Sequence, residues 1–284
     1  MVRNNQDRVG PRNSGSDEVP ESFKQMMNPM DFVAPTDFVE LPSKGQGYPK
    51  GHPLDGQDTI EIRFMTAKEE DMLTSRTLLK KGVAIDRVIA SLIVNKSIDA
   101  QSVLIGDRNA ILIKARASAY GHMYKTSVTC PECGEACKRA FNLEEPKIYN
   151  GDEWEDYNVK QNEEGNFVVT VPYSKMEVEC RLLRGYEEHN IVKNMQDKKK
   201  AESLVTAQLK SFIVSVNGMS ENPVIDYFVN NVIAPDSRYL RNAMKAVTPD
   251  IRIVKDFECP SCGHEQELEV PFGADFFWPD GGVR

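Results

Sequence analysis

An α+β fold, predominantly helical and made of two repeat-like halves joined at a four-cysteine site, is what this 284-residue sequence predicts. Three observations predict it. Two short knuckles, Cys130-Pro-Glu-Cys133-Gly and Cys259-Pro-Ser-Cys262-Gly, each stand between strand-like stretches. The residues ahead of each knuckle follow one order: strand, paired glutamates, apolar helical runs, strand. Between the strands, most apolar residues recur at helical spacing.

Taken in order, residues 1–30 are rich in Asn, Asp, Ser, Gly, Pro and charge. Such a segment buries too little apolar surface to offset its ordering entropy and is expected to be flexible. Residues 31–58 carry Pro35, Pro42, Gly45, Gly47 and Pro49 among apolar side chains, the pattern of an extended arm with turns. A first half is expected over 59–145. Ile60, Ile62 and Phe64 alternate with Glu61 and Arg63 as a half-buried strand. Thr66 followed by Glu69 is a capping-box signal for a helix running to about Lys81. Ile85, Val88, Ile89, Leu92 and Ile93 make a helical face, and a further helix lies within 98–120. A strand from Tyr124 to Thr129 enters the first knuckle, and one from Cys137 to Leu143 leaves it.

Residues 146–176 form an acidic connection, with Gly151-Asp-Glu-Trp-Glu-Asp156 and a hairpin signal at Phe167 to Val171. The second half is expected over 177–284. Glu187-Glu188 follow a strand-like Val178–Leu183 as Glu69-Glu70 follow theirs, 118 residues earlier. Helical runs at 204–216, 224–233 and 237–247 lead to a strand from Ile251 to Phe257 and the second knuckle. Asp236 precedes Cys259 as Asp107 precedes Cys130, an offset of 129. About eleven extra residues are thus expected in the second half, near Gly218–Pro223.

A Cys-x-x-Cys pair sets two thiolates on one tight turn, and two pairs supply the four soft ligands of a tetrahedral structural Zn²⁺ site. Cys130, Cys133, Cys259 and Cys262 are therefore the expected metal ligands, a zinc-ribbon-like staple with no open position for chemistry. The other readings are a redox dithiol or two unrelated turns. Similar knuckles with Gly after the second Cys favour the metal. Cys137 is a possible substitute ligand but is expected on a strand, and Cys180 is expected as a small buried hydrophobe. His264, two residues after Cys262, is close enough to support a ligand or replace one.

No Ser-His-Asp order, phosphate-binding glycine loop, His-Glu-x-x-His helix or dinucleotide fingerprint occurs, so no enzyme is expected. The glutamate pairs suit helix first turns better than acid–base chemistry. A formal net charge of −8 argues against sequence-independent nucleic-acid binding. No apolar run spans a membrane and the N-terminus lacks the apolar core of a signal peptide, which predicts synthesis in a reducing cytoplasm. Phe272, Phe276, Phe277 and Trp278 crowd the C-terminal run, as a plug for the protein's own core or an anchor for a neighbour.

With these residues in hand, the sequence resembles the T4-type baseplate protein family of contractile-tailed bacteriophages. The resemblance is carried by Glu40-Leu-Pro-Ser-Lys-Gly-Gln-Gly-Tyr-Pro49, Ile62-Arg-Phe-Met-Thr-Ala-Lys-Glu-Glu-Asp-Met-Leu-Thr74, Leu79–Asp86 and Leu104–Ala110. Both knuckles, Val270-Pro-Phe-Gly273 and Phe276-Phe-Trp-Pro279 complete it. It covers most of residues 38–280. It implies a structural component of the tail baseplate, in or beside the hub, present in several copies within a symmetric virion assembly. It implies other baseplate and tail proteins as partners and no substrate turnover. A zinc-ribbon module associated with nucleic acid, and an assembly chaperone absent from the finished particle, are the rival readings.

Overall fold

Two antiparallel hairpins, each continued by helices and closed by a Cys-x-x-Cys ribbon, organise the computed structural model. The structure describes residues 33–80, 82–144, 146–189, 204–269 and 276. The chain divides into Met1–Ala34 and Pro35–Arg284, and every element below belongs to the second unit. The flexible segment expected over 1–30 lies outside the described residues.

The elements run β1 (Thr36–Glu40), β2 (Thr59–Arg63), α1 (Ala67–Thr74), α2 (Arg76–Lys80), α3 (Ala84–Leu92), a 3₁₀ turn (Ala100–Ser102), α4 (Ile105–Tyr120), β3 (Met123–Thr129) and β4 (Ala136–Asn142). Then follow β5 (Lys147–Tyr149), β6 (Val159–Gln161), β7 (Phe167–Thr170) and β8 (Glu177–Cys180). The chain ends with α5 (Leu204–Phe212), β9 (Ile213–Val216), α6 (Asn222–Asn231), α7 (Ala234–Val247), β10 (Asp250–Arg252), β11 (Val254–Glu258) and β12 (Glu265–Glu269). Strands β6-β7-β8-β9 form one sheet. The pairs β1–β2, β3–β4, β5–β10 and β11–β12 form four more, all antiparallel.

The described residues are about 36% helical and 26% strand, so the fold is α+β but not predominantly helical. The excess helix was read into three places. Ser75 adopts an extended conformation and splits the expected 66–81 helix into α1 and α2. Residues 98–104 hold one 3₁₀ turn before α4 begins. Ile213-Val-Ser-Val216, within the helical run expected over 204–216, is strand β9. Its short β-branched run fits either period, and pairing with β8 decides it. The connection over 146–176 adds β5, β6 and β7, and residues 36–40 of the expected arm pair with β2.

One set of hydrogen bonds occurs twice. In the first copy Arg63 grips Glu69 with both terminal nitrogens (3.1 and 2.6 Å), and Glu69 also accepts from the Thr66 N–H (2.9 Å) and hydroxyl (2.7 Å). In the second, 118 residues on, Arg181 pairs with Glu187 (3.0 Å) and the Arg184 N–H donates to the same carboxylate (2.9 Å). Asp107, in the first turn of α4, accepts from the Ser43 N–H and hydroxyl and from Tyr48 (3.0, 2.6 and 2.7 Å). Asp236, in the first turn of α7, accepts from the Tyr173 and Ser174 N–H groups (both 2.9 Å). Helices α3 and α5 lie 120 residues apart, and each leads into chain that pairs with the hairpin's second strand, Ile93 with Ile62 and Ile213 with Cys180. The offset grows mostly between Ile213 and Ala234, where α6 stands in place of the 3₁₀ turn.

Two cores result. One gathers β1, β2, α3 and α4 with Ile251, Ile253 and Phe276 from the end of the chain. The other gathers β7, β8, β9 and α5, α6 and α7. The seam between them is tight. A Cβ on Gly106 would lie 2.1 Å from the Pro249 carbonyl oxygen, so only glycine lets α4 approach the turn after α7. Asn109 donates to Asp250 across the same seam (3.0 Å).

Burial alone would raise the Glu69 pKa, but the donors from Arg63, Ser91 and Thr66 outweigh it and hold the carboxyl down at about 2. Its stabilising contribution is therefore complete above the ordinary value of 4.5 and is lost as pH falls towards about 2. Unfolding followed across that window should show stability falling with pH in the native sequence. Glu69→Gln should flatten that part of the profile and cost about 2 kcal/mol at neutral pH, by replacing charge-assisted hydrogen bonds with neutral ones.

Candidate metal centre

Each knuckle is built by its own hairpin. In the first, the Cys130 N–H donates to the Glu135 carbonyl (2.8 Å) and the Gly134 N–H to the Cys130 carbonyl (2.9 Å). In the second, 129 residues on, Cys259 bonds His264 and Gly263 bonds Cys259 the same way (both 2.9 Å). Gly134 and Gly263 sit at φ +73° and +69°, left-handed conformations that favour glycine and let the backbone curl beneath the thiols. Strands β3–β4 and β11–β12 hold these turns in fixed register.

The two hairpins meet thiol to thiol. Cys130 Sγ lies 3.8 Å from Cys262 Sγ, and Cys133 Sγ lies 3.6 Å from Cys259 Sγ. All four sulfurs lie within 4.8 Å of one another. A tetrahedron with Zn–S bonds of about 2.3 Å has edges of about 3.8 Å. The donor set is thus compatible with zinc in number, softness and spacing. Cys130 and Cys259 are buried, while Cys133 and Cys262 face solvent.

The thiols do not share charge evenly. N–H groups of Cys262 and Ser261 point at Cys259 and, against burial, pull its pKa down to about 6. Cys262 accepts from the His264 N–H, yet burial and the adjacent thiols push it up to about 12. Clustered sulfurs resist ionising together, and a divalent cation is what would let all four do so.

The remaining sequence candidates fall elsewhere. Cys137 lies on β4 opposite Val128, buried beside the cluster, and Cys180 lies on β8 in the second core. The His264 ring meets Gln266 (3.3 Å) and His264 serves the knuckle through its carbonyl. Around the thiols, Arg139 reaches the Glu258 carbonyl (2.6 Å) and covers the Phe257 ring, 5.2 Å from its centroid. Lys147 pairs with Glu267 beyond them. The clamps of Arg63 and Arg181 on Glu69 and Glu187 were missed by sequence reading, although both partners share the offset of 118 residues that could have revealed them.

A family model described as T4 bacteriophage base plate protein matches residues 34–278. The chain belongs to that family. No curated protein and no solved structure matches it. This baseplate chain is a structural component of the phage tail and interacts with other tail proteins. No helix among the described residues is long and apolar enough to cross a membrane.

Of the C-terminal aromatics, Phe276 is described, and it plugs the baseplate chain's own first core. It is 1% exposed and meets Tyr124 edge-on at 5.1 Å, while its carbonyl accepts from the buried Arg116 (2.8 Å). Phe272, Phe277 and Trp278 lie outside the described residues. Phe276→Ala should lower the unfolding free energy by about 3 kcal/mol, the usual cost of emptying an aromatic core site, with the denaturant midpoint shifted down. An unchanged midpoint would remove Phe276 from the core.

Proposed function

We propose that this chain is a non-catalytic scaffold in or beside the baseplate hub, whose two ribbon hairpins are locked by one Zn²⁺ on Cys130, Cys133, Cys259 and Cys262. The observation that carries the zinc is the approach of two thiol pairs from positions about 130 residues apart to within 4.8 Å. Four protein thiolates would close the coordination sphere, leaving no position at which a water or substrate is activated. The metal's part is then to fix two hairpins against each other. The hub position rests on the resemblance of the chain's motifs, and binding to other baseplate subunits rests on the family match over 34–278.

Purified full-length protein should carry about one zinc per chain, lost in both Cys130→Ser and Cys259→Ser. Metal retained when only one knuckle is broken would show that the pairs act separately. Virions provide the second test. Mass spectrometry of purified particles should find this chain in fixed ratio to other baseplate proteins. Its absence from finished particles would make it an assembly chaperone, and salt-sensitive binding of DNA or RNA by the purified chain would favour the nucleic-acid module.

A further inference from the structure

The contact between the two recurring parts of the chain joins unlike surfaces. Residues Val103–Ile105, entering α4, pair antiparallel with Leu183–Gly185. The Ile105 N–H donates to the Leu183 carbonyl (3.1 Å), and the Gly185 N–H donates to the Val103 carbonyl (3.2 Å). Beside this bridge, Arg108 is 2% exposed and holds Asp86 (2.6 Å), the Ala100 carbonyl (2.8 Å) and Glu188 (3.3 Å). Thus the helix-entry edge of the first part receives the segment after the second strand of the second.

The hydrogen bonds that recur along the chain identify the counterparts of both surfaces. The counterpart of Val103–Ile105 is Val232–Ala234, 129 residues on, entering α7. The counterpart of Leu183–Gly185 is Met65–Ala67, 118 residues back, entering α1. Neither is covered. Leu104 is 3% exposed, whereas Ile233 in its place is 48% exposed. Gly185 is buried, whereas Ala67 is exposed. The N–H groups of Ala67 and Ala234 and the carbonyls of Met65 and Val232 have no backbone partner among the described residues.

We propose that these two open edges bind each other between copies of this chain. Val232–Ala234 of one copy would pair with Met65–Ala67 of the next, in the register that the internal bridge already uses. The side chains argue for this occupant. At the internal contact a Cβ on Gly185 would stand 2.6 Å from the Arg108 guanidinium, so that pairing requires glycine opposite arginine. In the other pair the residues in those places are Ala67, which is exposed, and Ser237, which is buried at 6% exposure. The methyl group that Arg108 would exclude finds a small hydroxyl in its place. The apolar Ile233 would gain the cover that Leu104 already has.

Such a contact is head-to-tail. Each copy offers one edge of each kind, so copies join in a closed ring when the rotation per step divides the circle, and in an open fibre otherwise. The inference rests on the recurring hydrogen bonds and is independent of zinc and of position in the baseplate.

Sedimentation velocity of the full chain over a wide concentration range tests it, with Ile233→Asp and Ala67→Arg as variants of the two exposed edges. The native chain should associate as concentration rises, and each variant alone should stay monomeric. An equimolar mixture of the two should form a single one-to-one complex, because each supplies the edge that the other has lost. Melting transitions unchanged from the native chain will show that both variants are folded. A native chain that stays monomeric throughout would overturn the proposal. So would association that survives either substitution, or a mixture of folded variants that stays monomeric.

Discussion

Ile251, Ile253 and Phe276 share one hydrophobic core with Leu41, Ile89 and Ile111, and the described architecture depends on that closure. The core begun by β1, β2, α3 and α4 is incomplete until the end of the chain returns to it. Three devices fix the return. Strand β10 pairs with β5, Gly106 lets α4 meet Pro249, and Arg116 donates to the Phe276 carbonyl. These contacts are remote in sequence, so their loop-closure entropy must be met before they add stability. The second core contains none of the residues after Val247 and does not need the return.

Among the described residues, the buried charges are paired or hydrogen-bonded. Glu69 and Arg108 are almost wholly buried, and each meets opposite charge together with neutral donors or acceptors. Asp107 has three neutral donors and, among the described residues, no cation within hydrogen-bond reach, and burial holds its pKa above the ordinary carboxylate value. Asp236 has backbone donors that outweigh burial and take its pKa down. The same aspartate at the same helix position thus titrates in opposite directions in the two parts. A carboxylate at a helix N-terminus is favourable in both, and burial pushes both pKa values up. Asp250 adds to the rise at Asp107, while backbone donors and Lys175 overcome it at Asp236. Removing one member of such a group costs more than the group contributes, because the partner is left buried alone.

The sequence made the repeated parts of this architecture readable and the unique parts obscure. Cys130, Cys133, Cys259 and Cys262, the capping box at Thr66 and the growing offset between parts were all visible as spacing. A knuckle or cap is local chemistry, specified within five or six residues. Strand β9 was not legible, because Ile213–Val216 suits both periods until a partner strand chooses. Nor was the Arg108 group, whose partners Asp86, Ala100 and Glu188 come from three separate stretches. Phe276 could be read as plug or anchor, and only the position of Tyr124 and Arg116 decides for the plug.

Energetics around the thiols explain why a staple belongs at this place and not elsewhere. The cores are large, yet among the described residues the buried apolar cluster between the ribbons consists of Cys130, Cys137, Phe257 and Cys259. Two-stranded hairpins are marginal by themselves in water, and four small contributions of this kind do not hold two of them in a fixed relation. Crowding sulfur against sulfur also pushes the Cys262 thiol up, so the four thiols do not ionise together in a bare cluster. Coordination by a divalent cation would turn that repulsion into attraction at the point where packing is thinnest. Under the proposed zinc reading, stability at the two ends of the fold has different origins. Apolar burial holds the helices and the four-stranded sheet, and the metal holds the ribbons. Loss of the ion would then release the hairpins from each other before it reached either core.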